Sequence, residues 1–253
     1  MQVCLAARSR EPLERAVKEI RASGGTALAI PTDVTDLGQL KYMVEQTIKE
    51  LGAIDVLVNN AGIETFCNYH ESSLDEIEQT IQVNLTAALL LTRLVLPHML
   101  SAGRGHIVNL SSTAGKHGPA FGAAYGASKA GLIAFTQSLR SEYYGTGISA
   151  SVICPGFTDE GGMYEQMKSD TGKRINWLVG STTAAKVGKA VVQAIRTDAP
   201  EKIVNSSPVR TVFTLAQVAP RLGGWVARQT TISFLTSLAQ ARAVRRTSDD
   251  APS

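Results

Sequence analysis

Ile54-Asp55-Val56-Leu57-Val58-Asn59-Asn60-Ala61-Gly62 decides how this chain is read. Residues 54–58 form a short apolar run, the pattern of a buried strand, and the Asn59-Asn60-Ala61-Gly62 behind it ends the run with turn-forming residues. Toward the amino terminus, residues 37–51 have helical apolar spacing after the capping stretch Asp33-Val34-Thr35-Asp36. Before them come a strand at 26–30, a helix at 11–22 closed by Gly24-Gly25, and a strand at 3–7. Toward the carboxyl terminus, helical patterns at 73–83 and 86–100 lead to a strand at 106–110 and a glycine-rich loop at 111–123. A helix at 125–143 and a strand at 148–153 continue the alternation to Pro155-Gly156; a helix at 183–196 and a short strand at 201–204 complete it. Strands separated by helices pair in parallel through right-handed crossovers, so the expected fold is α/β with a doubly wound parallel sheet and ligands at the carboxyl ends of its strands.

A chain of 253 residues, 44% hydrophobic and 19% charged, fits one large α/β domain with a substantial core. Cys4, Cys67 and Cys154 lie far apart in no metal-binding or disulfide pattern, so a reducing, cytoplasmic setting and no metal site are expected. No leader is apparent, and no stretch approaches the uninterrupted apolar length of a membrane span. No nucleic-acid partner is expected. Charge is uneven: residues 202–248 hold seven basic residues and no acidic one, so a formal +3 overall leaves −4 for the rest.

The chemistry centres on Ala124-Tyr125-Gly126-Ala127-Ser128-Lys129. On a helix, Tyr125 and Lys129 lie one turn apart, where an ammonium beside a phenol favours its ionised form. An exposed tyrosine and a solvated lysine at chance spacing are the plain alternative. Ser112 follows a strand end and Asn84 interrupts a helical pattern; taken singly, a loop hydroxyl and a capping or satisfied amide are the plainer readings. Residues 158–182 follow another strand end, as a lid or as an ordinary surface excursion.

Together, Asn59-Asn60-Ala61-Gly62, Val83-Asn84, Asn109-Leu110-Ser111-Ser112, Tyr125 to Lys129 and Pro155-Gly156 resemble the short-chain dehydrogenase/reductase family in order and spacing. The resemblance covers residues 1–204 and implies a Rossmann-like domain that transfers a hydride between a nicotinamide and a carbonyl or alcohol carbon. It makes Tyr125 the acid/base and gives Lys129 the nicotinamide ribose. Ser112 then binds the substrate oxygen, and Asn84 a water that links Lys129 to solvent. Asp33 and Val34 correspond to the adenine-contacting segment, and Asn60, Ala61 and Gly62 to a cofactor-adjacent turn. Pro155, Gly156 and Thr158 fall near the nicotinamide, with Thr158 earlier than the family's usual threonine. Arg8, at the end of the first strand with no acid before Glu11, favours NADP(H) over NAD(H).

One family element is missing: the opening strand and its Thr-Gly-x-x-x-Gly-x-Gly turn, which hold the pyrophosphate. The expectation is an N-terminally incomplete sheet whose natural protein carries a further βα unit of ~30 residues. A shortened, non-catalytic relative acting as a binding or scaffold protein is the alternative. Residues 205–253 read as a basic, apolar helical extension with a polar end, in which Trp225, Ile232, Leu235 and Ala239 can share one face. Packing on the fold, a subunit contact, a lid over an apolar substrate, and attachment to a membrane surface are the readings of that face. A hydrophobic, lipid-like alcohol or ketone is the expected substrate. A homodimer or homotetramer, paired through the helices holding Leu89 and Ala130, is implied by the resemblance.

Overall fold

The computed structural model describes residues 2–160, 162–207 and 209–249, with side chains to residue 245; the end of the polar tail lies outside the described residues. The alternation runs β1 (Gln2–Ala7), α1 (Arg10–Ala22), β2 (Thr26–Pro31), α2 (Leu37–Leu51), β3 (Val56–Asn59), α3 (Leu74–Ile81), α4 (Ala87–Ala102), β4 (Gly105–Leu110), α5 (Ala123–Glu142) and β5 (Ile148–Pro155). Then come β6 (Phe157–Asp159), α6 (Met163–Thr171), β7 (Ser181–Thr183), α7 (Ala184–Thr197), β8 (Glu201–Val204), α8 (Val209–Val218) and α9 (Pro220–Asp249). Local chemistry sets the helix starts. The Asp36 carboxylate accepts from Gly38 N and Gln39 N ahead of α2, and Ser73 and Glu76 form a reciprocal capping box on α3.

Every strand pairing is parallel, but the sheet is interrupted. One piece has the order β3-β4-β5-β8, a second is the pair β1-β2, and β6-β7 forms a third beside the site. Among the described residues, no strand pairs with the second edge of β1 or of β3. The two larger pieces still share one core. Ile30, Leu40 and Val44 pack in a single cluster with Leu57, Leu91, Val95, Met99 and Ile107, and Cys4 and Leu28 border it.

The expected burial of residues 54–58 holds on one face only. Leu57 and Asn59 are buried, whereas Val56 is 39% and Val58 43% exposed, because the core lies under one side of β3 and its free edge is open. On the opposite side of the sheet, Ala194 of α7 packs with Val108, Leu110 and Ile153.

Helices α3 and α4 run on through one π turn, Gln82–Thr86. The resulting helix, Leu74–Ala102, is 29 residues long and apolar enough by composition to cross a membrane, a length the sequence reading underrates. Its Leu91, Val95 and Met99 face the shared core.

The segment 158–182 is less polar in space than in sequence, since Tyr164 and Met167 are buried with Phe66, Phe234, Leu235 and Leu238. Leu235 and Ala239 of α9 are buried, but Trp225 is 59% exposed and leaves the proposed common face. That end of α9 packs on α8 instead. A Cβ on Gly223 would come within 2.3 Å of Ala216 Cα, so the crossing of the two helices requires glycine.

Candidate active site

Four elements bring the site together at the carboxyl ends of β3, β4 and β5. A buried polar ladder fixes their register: Asn59 Nδ2 donates to Asn109 Oδ1 at 2.8 Å, and Asn109 Nδ2 to Thr136 Oγ1 at 2.9 Å. This ties β3 and β4 to α5 and leaves none of these amide donors without a partner. Sequence reasoning used Asn59 and Asn109 only as landmarks, and their role was legible in the rarity of buried asparagine within apolar strands.

Asn84 sits in the π turn and is 1% exposed. Its Oδ1 accepts from Ile63 N at 2.7 Å while its Nδ2 donates to Ile63 O at 2.8 Å and to Ser128 Oγ at 3.1 Å. Asn84 therefore pins the loop after β3 to the start of α5, with one acceptor lone pair to spare. The Ser128 hydroxyl donates in turn to Tyr125 O at 2.7 Å.

Lys129 is 3% exposed, and its Nζ donates to Leu110 O at 2.9 Å. Burial drives its pKa down to about 8. Tyr125 lies between the Phe66 ring, 5.8 Å away, and Lys129 Nζ, 5.8 Å from the phenol ring centroid. Burial pushes the Tyr125 phenol up to about 12, against the effect of its hydrogen bond with Ser112. Desolvation is the largest influence on the phenol, and the Lys129 ammonium, one helical turn along, donates to a strand-end carbonyl. Ser112 Oγ also accepts from Ala114 N at 3.1 Å, which holds the hydroxyl at the top of β4.

These residues line a cavity of about 860 Å³. Asn60, Ala61, Gly62, Ser112, Tyr125, Lys129, Pro155, Gly156 and Thr158 all face it. Asn84 stands behind Gly62: a Cβ on Gly62 would meet Lys129 Nζ at 3.2 Å and Asn84 Oδ1 at 3.3 Å. The cradle beside the ammonium thus exists because residue 62 has no side chain. Arg8, Asp33 and Val34 are not brought to the cavity; they end β1 and β2, beyond the free edges of the sheet. The Arg8 charge helps to hold the Asp33 carboxyl below its usual range, after the hydrogen bonds from Thr35.

The outer wall comes from the segment 158–182 and from α8 and α9, stretches for which a lid was one of the expectations; Phe66 is the wall residue that sequence reasoning missed. Phe66, Met163, Tyr164 and Met167 line it together with Val212, Phe213, Val226, Ala227 and Leu235, so much of its lining is apolar. A buried ion network fastens α9 over it. Arg242 pairs with Glu64 (Nη1 to Oε2, 2.7 Å) and with Asp170, which also accepts from Arg245 Nη1 at 2.7 Å. An arginine in a helix with no nearby acid was the available signal, since its partner had to come from elsewhere in the chain.

The short chain dehydrogenase family model matches residues 1–172. The ketoacyl reductase HetN of Nostoc sp. is 44% identical over 220 residues, covering 86% of this chain and 74% of HetN. A metagenomic short-chain oxidoreductase solved in complex with NADP is 39% identical, with a TM-score of 0.59, over 61% of this chain and 70% of that one. NAD+-bound xylitol dehydrogenase shares the fold, with a TM-score of 0.73 at 23% identity over 81% of this chain and 88% of that chain. The carboxyl-end cluster of Tyr125, Lys129 and Ser112 thus stands in a chain that belongs to the short-chain dehydrogenase family, oxidoreductases that use a nicotinamide cofactor.

Proposed function

We propose that this protein reduces a hydrophobic ketone with NADPH, with Tyr125 as the proton donor. One observation carries the reading: Tyr125, Ser112 and Lys129 line the same cavity, and much of the rest of its lining is apolar. The similarity to HetN, a ketoacyl reductase, supports a substrate in which a carbonyl is joined to an acyl chain.

The nicotinamide half of the cofactor fits the residues present, because the side-chain-free Gly62 leaves Lys129 Nζ and Asn84 Oδ1 facing one cradle. Asn60, Ala61, Gly62, Lys129, Pro155, Gly156 and Thr158 would hold it there. Bound in that place, a reduced nicotinamide supplies a hydride to the carbonyl carbon. Ser112 donates a hydrogen bond to the carbonyl oxygen and holds it beside the Tyr125 hydroxyl. Tyr125, whose phenol burial pushes up to about 12, keeps its proton at neutral pH and gives it to the oxygen as charge develops. Lys129 keeps a cation near that proton, while Asn84 holds the floor of the site through Ile63 and Ser128.

The phosphate half needs a further element. The unpaired edges of β1 and β3, and Val56 and Val58 exposed beside them, suit one more parallel strand followed by a helix, supplied from outside residues 2–249. Arg8 at the end of β1 would then meet the adenosine end of the cofactor and select a 2′-phosphate. The same gap favours a second reading for residues 1–253 alone, a non-catalytic binding protein. NADPH titration followed by nicotinamide fluorescence separates the two. The oxidoreductase reading expects saturable binding by a chain carrying the added strand and helix. Absence of binding by that chain and by residues 1–253 defeats it.

A further inference from the structure

We propose that the rim of the cavity is a membrane-docking surface, built on Trp177 and Trp225 and directed at anionic lipid. The chain has two tryptophans, and both are on the surface: Trp177 is 83% exposed and Trp225 59%. Each is next in sequence to a residue of the cavity wall, Leu178 and Val226. Both segments border this one cavity. Ser207, just ahead of α8, donates to Leu178 O at 2.7 Å, and a Cβ on Gly224 would meet the His117 ring of the active-site loop at 3.8 Å. Leu178, Val218 and Leu222 add exposed apolar side chains at this end of the molecule.

Water gains nothing from such a set, whereas the headgroup boundary of a bilayer suits indole rings with aliphatic neighbours. The exposed charges around it are mostly basic. Arg174, Arg210, Arg221 and Arg228 are exposed, and residues 202–248 contain no acid. Of the carboxylates in the segment 158–182, Asp159 and Glu165 are engaged with Lys168 and Asp170 with Arg242 and Arg245, and Glu160 is exposed. A surface of tryptophan, leucine and arginine complements an anionic bilayer. An acidic protein would use the arginines and leave the indoles in water. Docking in this orientation places the apolar cavity against the lipid, so an acyl substrate enters without crossing water. That consequence rests on the proposed reductase function, but the surface itself does not.

The two indoles make the test direct, because intrinsic tryptophan fluorescence of the full chain reports only on positions 177 and 225. Phosphatidylcholine vesicles are compared with vesicles containing phosphatidylglycerol, each with and without brominated acyl chains. The expected result is red-shifted emission in buffer, then a blue shift and bromine quenching on the phosphatidylglycerol vesicles. Flotation of Trp177→Ser/Trp225→Ser should be weaker by about tenfold or more, with each single variant intermediate and the circular dichroism unchanged. Arg221→Glu/Arg228→Glu, which keeps both indoles, should lose the preference for phosphatidylglycerol. Three results overturn the proposal. Emission already blue in buffer and concentration-dependent would mean that a second copy covers the face. Vesicle binding that is salt-sensitive but unquenched by bromine would mean a charge contact suited to an acidic protein. Equal flotation of the double tryptophan variant would remove the indoles from any docking role. None of these measurements uses activity, so they are independent of the fate of the reductase reading.

Discussion

Lys129 Nζ is bonded to the carbonyl of Leu110 at 2.9 Å, and this bond holds a buried ammonium beneath the cavity. The cost of that arrangement is built into the fold and is the first quantity to measure. Burial lowers Lys129 from its ordinary 10.5 to about 8, which corresponds to about 3 kcal/mol of penalty on the charged form. Between those two values the unfolded chain binds more protons than the folded one, so this contribution to stability improves as pH rises from 8 to 10.5 and is constant below 8. Lys129→Met should therefore raise the urea midpoint at neutral pH by an amount equivalent to about 1–3 kcal/mol, less than the full penalty because Leu110 O loses its donor. The gain should shrink as pH rises, and reductase activity should vanish.

Tyr125→Phe keeps the ring between Phe66 and Lys129 and removes only the hydroxyl. Turnover should fall by about 10²–10⁴-fold with NADPH affinity unchanged, as expected for loss of proton transfer. Stopped-flow fluorescence for binding and steady-state rates for turnover separate these two effects.

The Arg242 network joins the helix α9 to the loop after β3 and to α6. Burial opposes ionisation of Asp170, but the hydrogen bond from Gln166 and the charges of Arg245 and Arg242 hold its carboxyl below the ordinary range. Such a carboxylate contributes stability that is present above its unfolded pKa and is lost as pH falls through the lowered folded value. Arg242→Ala would leave Glu64 and Asp170 with 7% and 3% side-chain exposure and less compensating charge. Destabilisation by about 3–5 kcal/mol is expected from denaturant unfolding. Paired replacement, Arg242→Met with Glu64→Met, should recover part of it.

Ala227 of α9 lines the same cavity as Tyr125. Ala227→Phe should lower kcat/KM for long-chain ketones by about 10–200-fold and leave short ketones near the original rate. A uniform loss across chain lengths would place the acyl chain elsewhere.

Arg8→Ala should raise the KM for NADPH by about tenfold or more and leave that for NADH almost unchanged, reflecting one charge-assisted contact with a phosphate. Equal changes for both cofactors would remove Arg8 from the adenosine site.

Much of this was legible before the structure. Apolar runs and helical spacing give the element order; Ser112 follows a strand end, Tyr125 and Lys129 lie in the first turns of the next helix, and Asn84 marks the interruption in the helical pattern that becomes the π turn. What the sequence could not carry is whatever depends on partners distant along the chain. Arg242 and Glu64 are 178 residues apart, and nothing local to either names the other. The aromatic wall from Phe66, Tyr164 and Phe234 is assembled by packing alone. Residues 54–58 look fully buried because their apolar pattern is that of a two-sided strand; the exposure of Val56 and Val58 follows from the open edge beside them. The Tyr125 and Lys129 spacing is readable, but the balance between their attraction and their burial is not.

The most direct test of the reductase claim is consumption of NADPH with a 3-oxoacyl ester, by the chain completed with a strand and helix at the β1–β3 gap, compared with its Tyr125→Phe variant. The account predicts turnover that requires the ester and is lost in the variant while NADPH remains bound. Turnover retained in Tyr125→Phe, or bound NADPH that no ketone oxidises, would contradict it.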